Sequence, residues 1–134
     1  MKTVILDTNV FISGIFWSGP PYTILNAWRN HKIKLIYSIE ILNEYVRVSK
    51  LLAKKYKEID ISGFIDLILI YGEVHSPIIL QEPISIDPDD DKFIACALNA
   101  NCNIIISGDK DLLDVTGYAG IEILKPATFV KKYL

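Results

Sequence analysis

The order of apolar segments predicts an α/β fold: a three-layer α/β/α sandwich built on a central parallel sheet of four to five strands. Three observations carry this reading. Short apolar runs alternate with longer segments whose apolar residues recur at helical spacing. The short runs are continuously apolar, as strands covered on both faces are. Clusters of Gly, Pro, Ser, Asp and Asn separate the segments. With no internal repeat, linker or low-complexity stretch, residues 1–134 are expected to form one domain.

Residues 3–6 read as a buried strand, and Asp7-Thr8-Asn9 at its end offers caps for the next helix. Residues 10–16 form a short helix, stopped by Trp17-Ser18-Gly19-Pro20-Pro21. A helix over 22–30 follows, with the two prolines near its start. Residues 34–37 are the second strand. Ser38 caps a helix from about residue 39, with Ile41, Leu42, Tyr45, Val46 and Val48 at helical spacing, continuing after a bend through 51–57. Residues 60–71 form a very apolar helix ended by Gly72. Residues 73–75 suit an edge strand, and 76–88, rich in proline, a loop. A helix over 89–99 has acids in its first turn, as the helix dipole favours. Residues 103–107 and 121–124 are strands. A short helix lies near Leu112 and Leu113, and Pro126 opens the last helix, to Tyr133.

Composition excludes several classes. The net charge is −2, so there is no global basic signature of a nucleic-acid binder. The charge is uneven: bases crowd residues 29–57, and no Lys or Arg occurs from Glu58 to Asp91. Such a chain can set a basic rim beside an acidic floor, although a solvated lysine-rich helix face gives the same pattern. The two cysteines match no zinc or redox spacing. No segment has the length of a membrane span, and the N-terminal apolar run is too short for a signal peptide, so a cytoplasmic protein is expected.

In open parallel sheets, ligands bind beyond the C-terminal ends of the strands. Asp7 follows the first strand, and Asp109 with Asp111 follows the fourth. Asp91 opens the helix leading into that fourth strand, which puts it at the same edge. Each acid has a plainer reading: Asp7 as a helix cap, Glu44 as a solvated or ion-paired helix residue, Asp91 as dipole decoration, Asp109 and Asp111 as turn residues. Their shared location favours a cluster. Converging carboxylates repel, and a hard divalent cation, Mg²⁺ or Mn²⁺, resolves the conflict. His31 and His75 are too scattered for a zinc site, and no Walker loop, Gly-x-Gly-x-x-Gly or Gly-x-Ser-x-Gly occurs.

Four segments then resemble, in order and spacing, the PIN domain family: Val4-Ile5-Leu6-Asp7-Thr8-Asn9-Val10; Ser38 to Glu44; Asp87-Pro88-Asp89-Asp90-Asp91-Lys92-Phe93-Ile94; and Ile105-Ile106-Ser107-Gly108-Asp109-Lys110-Asp111-Leu112-Leu113. The likeness is greatest to toxin-like PIN proteins similar to VapC-type toxins. It implies strand order 3-2-1-4-5, cleavage of single-stranded RNA with Mg²⁺ or Mn²⁺, frequent homodimers and an antitoxin partner. It carries the metal-holding acids onto Asp7, Glu44, Asp91 and Asp109, with Asn9, Ser107 and Asp111 in support. Asp91 is taken from its acidic run because Asp-x-x-Ile-Ala is the family's frame.

The expected chemistry is phosphodiester hydrolysis. Glu44 or Asp109 would orient the attacking water, and Arg47, Lys50, Lys54 and Lys55 would hold the RNA backbone. The alternative is a non-catalytic PIN-like module that binds RNA or protein. A phospho-receiver is disfavoured, because the third-strand region continues as His75-Ser76-Pro77 where an acceptor Asp is needed. The helix over 60–71 is apolar almost all round, more than one sheet face can bury, so a dimer or an antitoxin is expected to cover the remainder.

Overall fold

The computed structural model describes residues 1–76 and 78–134. In chain order the elements are β1 (Lys2–Leu6), α1 (Thr8–Phe16), α2 (Pro20–Arg29), β2 (Ile33–Tyr37), α3 (Ile39–Ala53), α4 (Ile61–Tyr71) and β3 (Glu73–Val74). After a loop and a 3₁₀ turn (Pro88–Asp90) come α5 (Asp91–Ala100), β4 (Ile104–Ile106), α6 (Lys110–Leu113), β5 (Glu122–Leu124) and α7 (Pro126–Tyr133).

The strands form one parallel sheet in the order β3-β2-β1-β4-β5, flanked by helices. This is the α/β/α sandwich and the strand order expected from the sequence. Its centre is β1, where Val4, Ile5 and Leu6 are buried and pair on one side with β2 and on the other with β4. Strand β4 is Ile104-Ile105-Ile106, wholly buried. β-Branched side chains are stiff and fill both faces of such a strand.

Local signals set the helix starts. Asp7 caps α1 by accepting the Val10 N–H at 2.9 Å, and Ser38 caps α3 by accepting the Ile41 N–H at 3.3 Å. Prolines open α2 and α7. Helices α1 and α2 meet at Gly14, where an added Cβ would stand 2.6 Å from Leu25 and 2.8 Å from the Pro21 carbonyl.

Several expectations need correction. The chain does not continue as helix through 51–57: α3 ends at Ala53, and the Lys55 and Tyr56 N–H groups both turn back to the Leu52 carbonyl. The helix expected from residue 89 begins at Asp91, because Pro88 starts a separate 3₁₀ turn capped by Asp87, which accepts the Asp89 N–H at 3.0 Å. Pro77, part of the expected loop, lies outside the described residues.

Helix α4 keeps only Ile68 fully buried, and leaves Leu69, Ile70 and Tyr71 each more than half exposed. The sequence expected such a surplus apolar face. No helix among the described residues is long and apolar enough to cross a membrane.

Candidate active site

Three strand ends converge on one edge of the sheet. Leaving β1, the chain places Asp7; leaving β4, it places Ser107, Gly108 and Asp109; leaving β2, it enters α3, which delivers Glu44 one and a half turns on. Together with the 3₁₀ turn before α5 they enclose a cavity of about 580 Å³, lined by Asp7, Thr8, Asn9, Glu44, Asp90 and Asp109 among others.

Asp7 is both cap and cavity residue. One carboxylate oxygen holds the Val10 N–H, and the other accepts a short hydrogen bond from Ser107. The Ser107 hydroxyl also accepts the Asp109 N–H at 2.9 Å, so one buried side chain fixes two acids. Burial raises the Asp7 pKa above the ordinary carboxylate value. The Ser107 and Val10 hydrogen bonds oppose that rise, and the charges of Asp109 and Glu44 add to it.

Glu44 is held at both oxygens. Thr8 donates a short hydrogen bond to Oε2, and Lys92 Nζ lies 2.8 Å from Oε1. The Lys92 side chain is only 12% exposed and also reaches Asp89 at 3.0 Å. Burial alone would lower the lysine's pKa, but the hydrogen bonds and charges of Glu44 and Asp89 raise it on balance. The converging acids therefore have a basic partner that the sequence reading did not identify: Lys92 enters from α5. Its i+3 spacing from Asp89 was the available signal.

Asp91, expected in the cluster, lies outside the cavity lining. Its carboxylate turns away from the cavity and accepts the Ile84 N–H at 3.0 Å and the Ser85 N–H at 2.8 Å, tying the preceding loop to α5. Asp90 takes the cavity position instead. Adjacent residues differ by about 100° around a helix axis, so only one of the two can face the cluster. The partner that claims Asp91 is a loop six to seven residues away, which no local pattern marks.

Carboxylate oxygens of Asp90, Asp109 and Asp111 lie within 4.8 Å of one another, a spacing that suits shared ligation of one cation. Asp90 Oδ2 is buried with no hydrogen-bond partner among the described residues. Burial, then the close carboxylate of Asp109, then the charges of Asp87 and Asp7, push the Asp90 pKa up to about 8. An oxygen-only donor set with an orphaned buried oxygen fits a hard divalent cation. Asn9 lines the cavity, and Asp111 joins the cluster although the cavity wall excludes it.

The expected RNA-binding residues divide. Arg47 is exposed beside the cavity, 3.8 Å from Glu44. Lys50 instead faces a groove between α3 and α4, with Val46, Ile61 and Ile65. Lys54 and Lys55 lie exposed beyond the end of α3.

No curated protein matches the chain. A family profile described as PIN domain matches residues 3–111, a span that contains every acid of the cluster. PIN domains are a nuclease family whose members generally use divalent metals, and this chain belongs to the PIN domain family.

Proposed function

We propose that the protein is a Mg²⁺- or Mn²⁺-dependent endoribonuclease of single-stranded RNA and the toxin of a toxin–antitoxin pair, acting in the cytoplasm. The observation that carries the nuclease reading is the Asp90–Asp109–Asp111 cluster with its orphaned Asp90 oxygen, at the sheet edge where Asp7 and Glu44 also point. Asp90, Asp109 and Asp111 would hold one cation, with Asp7 beside them. Such a cation lowers the pKa of a water and screens charge building on a phosphate.

The chain's own side chains do the rest. Ser107 keeps Asp7 and Asp109 in fixed positions, so neither has to reorganise when substrate arrives. Glu44, held at both oxygens by Thr8 and Lys92, would orient a water for attack on the phosphorus. Lys110 lines the cavity and would bring positive charge to a phosphodiester there, while Lys92 is committed to Glu44 and Asp89. The apolar face of α4 supports the partner part of the reading: it suits a second copy or an antitoxin.

The decisive experiment offers a 5′-labelled, unstructured RNA with Mg²⁺, with Mn²⁺, and with EDTA. Internal cleavage is expected with either metal, none with EDTA, and little on a hairpin stem. Absence of metal-dependent cleavage would leave a non-catalytic RNA- or protein-binding module.

A further inference from the structure

Helices α1 and α3 lie side by side, leading away from the cavity. Thr8 bonds Glu44 at the cavity wall, and one turn on Phe11 stacks on Tyr45 with ring centroids 4.3 Å apart. Past the ends of both helices the pairing closes with three aromatic rings. Trp17 caps α1, Tyr56 follows α3, and Phe16 sits between them. The centroids of Phe16 and Trp17 are 6.0 Å apart, those of Phe16 and Tyr56 5.8 Å, and those of Trp17 and Tyr56 6.0 Å, the last pair edge to face.

A core aromatic group would be closed to solvent. Here Trp17 is 47% exposed and Tyr56 half-buried, so ring surface is left open. The segment that carries Tyr56 is Lys54-Lys55-Tyr56-Lys57, three exposed cations flanking the ring's residue in the chain, with Glu58 next. Lys55 Nζ stands 5.7 Å from the Tyr56 centroid. The backbone there is anchored, because the Tyr56 N–H donates to Leu52 and the Tyr56 carbonyl accepts from Ile59. Between this group and the cavity, α3 presents Val48 at the cavity wall, then Leu51, 56% exposed. The nine residues from Glu44 to the end of α3 span roughly 13–14 Å, and a stacked strand covers that in about four nucleotides at about 3.4 Å each.

We infer that Trp17 and Tyr56, with Lys54, Lys55 and Lys57, form a stacking subsite for a base of single-stranded RNA a few nucleotides from the cleaved bond. Exposed rings stack on any base, and neighbouring lysines neutralise the phosphates of the same segment, which is the chemistry of sequence-tolerant single-strand binding. Duplex RNA offers no free base face there. The subsite assigns the basic segment a task that the cavity cannot use, since the carboxylates repel a phosphate wherever no cation screens them. The inference extends the ribonuclease reading and rests on it for the word substrate.

Fluorescence tests it without needing cleavage. The chain has two tryptophans; Trp28 is 3% exposed and reports the core, so a ligand at the subsite quenches Trp17 alone. The probe is an unstructured 12-nucleotide RNA in EDTA at low salt, with a hairpin of equal length as control. Quenching by the single strand and not by the hairpin is expected. Trp17→Ala should weaken binding, read by anisotropy of labelled RNA, roughly tenfold or more, with Trp17→Phe restoring most of it. With metal present, Trp17→Ala should raise KM for the 12-mer and leave kcat unchanged, and should leave cleavage of a trinucleotide untouched. Equal affinity in Trp17→Ala and the parent, with blue-shifted Trp28 emission showing an intact core, overturns the subsite. So does a change in oligomeric state in place of RNA affinity, which would make the patch a protein contact. Cleavage without quenching overturns the subsite and spares the nuclease; quenching without cleavage does the reverse.

Discussion

Ser107 and Asp7 lie 100 residues apart in the chain and share a hydrogen bond at the floor of the cavity. The donor is fully buried, and its oxygen also accepts the Asp109 N–H. Ser107→Ala removes both bonds and leaves a buried carboxylate short of one donor. Stability should fall by about 1–3 kcal/mol, the Asp7 pKa should rise further, and kcat should drop with little change in KM. Denaturant midpoints and steady-state cleavage check this. Unchanged kcat would mean that Ser107 only supports the fold.

Asp90 and Asp91 should separate cleanly. Asp90→Asn removes an ionisable ligand from the cluster, so metal binding and cleavage should be lost, while metal-free stability should rise most at alkaline pH, where the carboxylate would otherwise be charged. Asp91→Ala deprives the Ile84 and Ser85 N–H groups of their acceptor, at a cost of about 1–3 kcal/mol. Its metal affinity, measured calorimetrically at a temperature where it is folded, should stay near that of the parent. The opposite pattern would return Asp91 to the cluster.

The pH dependence has a definite sign. Burial and the neighbouring carboxylates push the Asp90 pKa up to about 8, far above the ordinary carboxylate value. A group whose pKa is raised on folding favours the fold fully below its unfolded pKa, near 4, and loses that contribution as pH climbs through the folded value. Asp7 shifts in the same direction. Tm in EDTA should therefore decline between pH 5 and 8.5, less steeply in Asp90→Asn. Mg²⁺ should raise Tm most at the alkaline end, where it no longer competes with the proton. A Mg²⁺ effect that is flat with pH would argue against Asp90 as a ligand.

Gly14→Ala tests the packing of α1 on α2. The added methyl meets both Leu25 and a backbone carbonyl, and only the side chain can give. A loss of about 1–3 kcal/mol is expected, read from urea unfolding, with cleavage kinetics retained below the transition.

The strands were legible because buried parallel strands are apolar without interruption, as in Val4-Ile5-Leu6 and Ile104-Ile105-Ile106. The edge acids Asp7 and Asp109 were legible because strand ends place ligands, and the family likeness added Glu44. What stayed hidden depends on long-range partners. Asp90 and Asp91 look alike until the 84–85 loop claims one of them. Lys92 joins Glu44 across 48 positions, and Thr8 joins it across 36. The end of α3 at Ala53 was missed because Leu51 to Lys57 holds no Gly or Pro to announce a stop.

The cavity draws its acids from both halves of the chain, with Asp7 just beyond β1 and Asp109 beyond β4. Neither half carries the centre alone. A polypeptide still emerging from the ribosome has no such centre until β4 has slotted beside β1, and that step must close a loop of about a hundred residues. Truncated, misfolded or unfinished copies therefore lack an assembled centre, and for a member of a nuclease family this makes correct folding a first safety catch.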